Sequence, residues 1–150
     1  MDKKLQGLLI ANGALVLLAG FIAGLPYAAV VTASLAPDAP TGIAEHIRAW
    51  HMAHLEGVLN GMLMLAGAAV AGALTLSRKT ARVIFWGLVV AGWTNVVASS
   101  ISASTGGRGT GVTGFDWNTL DFLLFMAGIV GAVAAMIALV IGGLAMARSS

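Results

Sequence analysis

From Leu5 to Pro37 the chain carries no charged side chain. A helix needs only about 20 residues to cross the hydrocarbon of a bilayer, and inside that layer backbone polar groups are satisfied only by helices or closed barrels. The same condition recurs at Gly57 to Ser77, Val83 to Ser104 and Phe122 to Ala147, none of which contains Asp, Glu, Lys or Arg. Lys3 and Lys4 ahead of the first run resemble the start of a secretory signal, with Ser34-Leu35-Ala36 as a small-residue cleavage site. An h-region is only about 7 to 15 residues long and Pro37 is a poor residue to follow a cut, so a retained span is expected. Composition points the same way: 59% hydrophobic and 9% charged residues with a mean hydropathy of +0.94 describe an integral membrane protein, not a water-soluble core.

The expected fold is therefore all-α, an integral membrane bundle of four transmembrane helices forming a single domain over residues 1–150, with spans near 5–36, 44–76, 82–104 and 119–147. Ala36 to Gly42, APDAPTG, is turn chemistry that ends the first helix. The second begins near Gly42 to Ile43, with Glu45, His46 and Arg48 in its first turns; at about 30 residues it would reach roughly 45 Å, longer than the hydrocarbon core. Ser77 to Arg82, SRKTAR, reads as a tight basic connection, so the second and third helices are antiparallel neighbours. Thr105 to Trp117 is the longest loop, with five glycines, and Asn118 is placed to cap the fourth helix with Asp121 bonding back to it. Four spans put both termini on one side together with Lys3, Lys4, Arg78, Lys79, Arg82 and Arg148, leaving Arg48 and Arg108 opposite. The positive-inside rule then places both termini in the cytoplasm, in a membrane of the bacterial inner (cytoplasmic) type.

These cations are scattered in ones and twos, so no basic patch forms and a nucleic-acid partner is not expected despite the net charge of +2. With no cysteine there is no disulfide framework, thiolate metal site or nucleophilic Cys. A metal has to be held by imidazole or carboxylate, or arrive inside a cofactor.

Against this apolar background, Trp50 to Met64, WHMAHLEGVLNGMLM, brings His51, His54, Glu56 and Asn60 to the entrance and interior of a span. Ionisable groups at that depth are costly to desolvate and mark functional sites by default. On a helical wheel Trp50, Gly57, Val58, Gly61, Leu65, Ala68 and Gly72 lie within about 60° of His54. This small-residue face has two readings. Gly57 and Gly61 form a GxxxG pair that lets two backbones approach, or they leave room beside an imidazole for something flat and large, as when a transmembrane histidine ligates haem iron. His51 lies on the same side one turn nearer the surface, as a second ligand, a hydrogen-bond partner or an interfacial residue; His46 is expected to be solvated. A zinc HExxH motif is absent in both spacing and order.

Asn60 and Glu56 point about 120° to 160° away from His54, either as interhelical glue or as functional polar groups. On the third helix Ala91, Asn95, Ser99 and Ser102 share one stripe. It is either a packing seam with back-bonded serines or a weakly polar wall able to orient a small substrate through Asn95 and Ser99. Trp50 and Trp117 fall where an outer aromatic belt belongs, with Trp86 and Trp93 deeper.

His54-Leu55-Glu56-Gly57-Val58-Leu59-Asn60-Gly61-Met62, then Lys79-Thr80-Ala81-Arg82, Gly92-Trp93-Thr94-Asn95-Val96 and Arg108-Gly109, in this order from about Arg48 to Asp121, resemble the styrene oxide isomerase family. The resemblance implies a small membrane enzyme with ferric haem b at the subunit interfaces of a homotrimer. It implies Lewis-acid opening of an apolar or aryl epoxide and a 1,2-shift to an aldehyde, the Meinwald rearrangement. His54 matches the axial ligand of the iron, with Trp50, Gly57 and Gly61 around the cofactor. Asn60 matches the family's pocket asparagine, and Asn95 and Ser99 complete the expected substrate contacts. The sequence departs from the family at Ala91, where the family has an acidic residue, and at Ser99, where it has tyrosine, which implies a roomier pocket. Arg48 and Arg108 are the outward-side cations available to haem propionates.

Two other classes stay open on the residues alone. A haem protein for electron transfer or sensing would want a second axial ligand, and a small proton-coupled transporter would use Glu56 as its binding carboxylate.

Overall fold

A computed structural model describes residues 1–149. The described chain is all helix and turn: α1 (Lys3–Ser34), α2 (Ile43–Ala73), α3 (Arg78–Thr105) and α4 (Trp117–Ser149). Each helix is long and apolar enough to cross a membrane. The start and stop points follow local chemistry. Asp2 accepts from the Leu5 N–H at 2.8 Å to open α1, and Gly42, at a φ of 82°, precedes α2 in a conformation that side chains resist. Ser77 accepts from the Thr80 N–H at 3.1 Å to open α3.

Two expected boundaries move. Arg78, Lys79 and Arg82 are not connection but the opening turns of α3, because the Ser77 cap starts the helix immediately. At α4 the cap is Asp116, whose Oδ1 accepts from the Thr119 N–H at 2.8 Å. With the Thr113 hydroxyl donating to the same carboxylate, these bonds hold Asp116 below its ordinary value. Asn118 instead pins the glycine loop, its Oδ1 accepting from the Arg108 and Gly109 N–H groups at 3.2 and 2.9 Å. Asp121 does not bond back to the cap. It is buried, and its Oδ2 accepts from the Ser102 hydroxyl of α3 at 2.6 Å.

α1 packs along α2 and α3 along α4; α2 and α3 join the two pairs, with α1 also touching α3. The core is Leu9, Val16, Met64, Ile84 and Leu88 with small residues between them. α1 and α4 turn Ile22, Leu25, Val130 and Ile137 outward, which suits lipid surroundings. Lipid tails are as apolar as these side chains, so helix association depends on close packing and not on the hydrophobic effect.

The closest packing joins α1 to α2. A Cβ placed on Gly57 would fall on the Cα of Gly20, and one on Gly61 would lie 2.6 Å from the Leu17 nitrogen. These are backbone collisions that no rotamer change relieves. The room beside His54 is thus taken by α1, and Gly57 and Gly61 serve helix packing in this chain, not the cradling of a flat cofactor within it. Gly57→Ala should lower stability in detergent by about 1–3 kcal/mol. Gly143→Ala, where a Cβ meets nothing within 4 Å, should be neutral or stabilising by up to about 1 kcal/mol. Thermal melts of the two purified variants check both.

Candidate functional site

α2 carries polar groups on two faces, and its neighbours keep them apart. His54 faces α1. Its Nδ1 lies 2.9 Å from the Gly20 carbonyl oxygen, an atom that can only accept, so Nδ1 holds the proton of the neutral ring. In the neutral tautomer that this contact selects, the lone pair is on Nε2, the state required of a metal ligand. Gly20 is available for this contact because its close approach to Gly57 draws the α1 backbone to α2. Gly24, one turn on, leaves space for the ring: a Cβ there would lie 3.0 Å from Nδ1.

Tyr27 completes this face. Its ring stacks on His51 at a centroid distance of 5.0 Å and on His54 at 6.2 Å, with interplanar angles of 26° and 14°. The sequence reading does not single out Tyr27, although it is the chain's one tyrosine and follows Pro26 in an otherwise featureless apolar run. Stacking also sets the use of His51, which lies against the same phenol as His54. Among the described residues no group of three or more His, Asp or Glu side chains converges as a metal site. A bare ion would lack a third protein ligand here, whereas haem iron needs from the protein only an axial nitrogen. The half-buried His54 fits that requirement. Trp50 packs instead with Ala23, Ala53 and Ala103.

Asn60 and Glu56 face α3. The Asn60 amide nitrogen donates to the Glu56 backbone oxygen at 2.9 Å and to Glu56 Oε2 at 2.8 Å, and its Oδ1 accepts from Asn95 Nδ2 at 3.5 Å. Two of the expected substrate-contacting residues thus meet, with Glu56 as a third member. Ser99, one turn beyond Asn95, is 2% exposed and donates to the Val96 carbonyl at 3.2 Å, leaving it a lone pair to offer and no free proton. Arg108, expected near a cofactor's acidic edge, is paired with Glu45 at 3.1 Å, both side chains exposed.

α4 supports the asparagines from the far side. A Cβ on Gly128 would collide with Asn95 Oδ1 and lie 2.8 Å from Thr94 Oγ1. Gly128→Ala should therefore turn the Asn95 amide away from Asn60 while leaving α2 untouched. The Asn95 side-chain amide signals in a ¹⁵N–¹H spectrum should shift accordingly, in protein that melts like the parent.

A family model described as styrene oxide isomerase matches residues 5–146 of the chain. No curated protein matches it.

Proposed function

The chain belongs to the styrene oxide isomerase family, and on that basis we propose a haem-dependent membrane isomerase that rearranges a small apolar epoxide to an aldehyde. At family level an epoxide isomerase follows from the match itself; the cofactor, the residues and the assembly are our reading. The observation that carries it is the Nδ1 contact of His54 with the Gly20 carbonyl. It leaves Nε2 unprotonated inside a span, where an imidazole without a task would be a cost.

His54 would hold ferric haem b as its axial ligand. When bound, the haem would supply a Lewis acid to an epoxide oxygen. The protein's own share is positional and dielectric. Asn60 and Asn95 present oriented amide dipoles, and Ser99 lines the wall beside them. The surrounding apolar helices keep out water, which would trap an electron-deficient carbon as a diol. Ala91 and Ser99 are both packed between helices, at 1% and 2% exposed.

Because α1 fills the groove at Gly57 and Gly61, the cofactor would lie against the outside of one protomer. His54 and Asn60 lie on opposite faces of α2, so a site that uses both would take His54 from one chain and Asn60 from its neighbour, where Asn60 is 9% exposed at the α2–α3 seam, in a homotrimer with sites at its interfaces. Both termini would be cytoplasmic in a bacterial-type inner membrane, by the charge distribution alone.

The absorption spectrum of detergent-purified protein tests this reading. A Soret band is expected in wild type, absent from His54→Ala, and shifted when an aromatic epoxide is added to the oxidised protein. Failure of wild type to take up haem, or a band unchanged in His54→Ala, overturns it. For the shared site, His54→Ala and Asn60→Ala chains carrying different tags should each be inactive alone. Mixed oligomers purified through both tags should recover a fraction of wild-type turnover, and hybrids as inactive as their parents would show that each chain builds its own site.

A further inference from the structure

Glu56 lies in a span, pairs with no cation among the described residues, and is not used by the reaction outlined above. What it touches is Asn60. The Asn60 amide has two N–H bonds, and both end on one residue, at the Glu56 backbone oxygen (2.9 Å) and at Glu56 Oε2 (2.8 Å). A backbone carbonyl has no proton to give, and the Glu56 side chain accepts at Oε2. The amide therefore cannot flip without setting its oxygen against two acceptors. Its Oδ1 is committed to the opposite side, toward Asn95, whose Nδ2 lies 3.5 Å away. Asn95 must in turn show Oδ1 to α4 at Gly128. Glu56, through its backbone oxygen and its side chain together, thus sets the direction of two amide dipoles on two helices.

We infer that Glu56 is a positioning residue that locks the Asn60 and Asn95 amides with the Asn60 carbonyl oxygen directed at the α2–α3 seam. This deepens the isomerase reading and rests on it for its catalytic consequence. Opening an epoxide draws electrons to oxygen and leaves a carbon electron-poor. A carbonyl dipole held with its oxygen toward that carbon has the right sign to stabilise it. Preorganisation matters because a fixed dipole needs no reorientation as charge develops. An Asn60 free to rotate would offer its N–H groups as readily as its oxygen.

The test separates orientation from activity. The chain contains four asparagines, Asn12, Asn60, Asn95 and Asn118, so ¹⁵N-asparagine labelling gives four side-chain amide signals, assigned by substituting each in turn. In wild-type protein the Asn60 amide protons should resonate downfield as hydrogen-bonded donors. Glu56→Leu should move them upfield, and Glu56→Gln, which keeps an acceptor oxygen, should hold them close to their wild-type position. With an aromatic epoxide, Glu56→Leu should lose about 10²-fold in kcat with KM and haem content little changed, and Glu56→Gln should recover at least a tenth of wild-type turnover. Asn60 signals that do not move in Glu56→Leu, or a kcat that does not fall when they do, overturn the inference. So does Glu56→Gln as slow as Glu56→Leu while its Asn60 signals stay in place. Wild-type protein that takes up no haem and turns over no epoxide overturns the isomerase reading and the catalytic part of this one; the amide signals then still decide whether Glu56 sets the orientation of Asn60.

Discussion

The backbone contact between α1 and α2 at Gly20, Gly57 and Gly61 is the constraint on which the rest of the site depends. In a bilayer the apolar surfaces of two helices gain nothing from leaving water, so association falls to van der Waals contact and hydrogen bonds at short range. Three glycines shorten that range to backbone against backbone. The close approach has a chemical result. It carries the Gly20 carbonyl to 2.9 Å from His54 Nδ1 and so decides which imidazole nitrogen keeps the proton. The seam that holds the helices together also fixes the imidazole.

A second consequence is exclusion. The wheel of α2 leaves a smooth face below His54, and α1 occupies all of it that matters, with Leu17 and Gly20 over Gly61 and Gly57. His54 itself is half-buried beside Tyr27. The polar groups on the opposite side of α2 belong to a different interface, with α3, and α4 closes behind them at Gly128. Desolvation explains why the second set is internally paired: an amide in this environment costs several kcal/mol if its hydrogen bonds are unmade, and Asn60 makes all of them within α2 and to Asn95.

Much of this arrangement is legible in the amino-acid sequence, and the division between what is and what is not has physical causes. The four spans are legible because lipid allows almost no other arrangement of uncharged runs this long. Expected boundaries near 5–36 and 44–76 lie close to Lys3–Ser34 and Ile43–Ala73. Caps are harder, since Asp116 and Asn118 are both good capping residues and only the position of the loop decides which oxygen meets the Thr119 N–H. The two-sided character of α2 follows from helical periodicity alone. Which helix lies on which side does not, and the choice between packing and cofactor room at Gly57 and Gly61 turns on that. Tyr27 is hidden for the same reason: its importance lies in a contact between helices that no local pattern encodes.

Ser99 shows how a small residue changes the division of labour within the site. Its hydroxyl proton goes to the Val96 carbonyl at 3.2 Å and the side chain is almost wholly buried, so it cannot donate to a substrate without giving up a bond in its own helix. A longer hydroxyl-bearing side chain would carry its oxygen past that carbonyl and into the seam. With serine there, orientation has to come from the amides, and the amides are only as directional as the group that holds them. Asn60 has Glu56 behind it and Asn95 in front; Asn95 has the packed surface of α4 at Gly128. Ser99 tied to its own helix and Asn60 tied to Glu56 therefore leave direction at this seam to the amides.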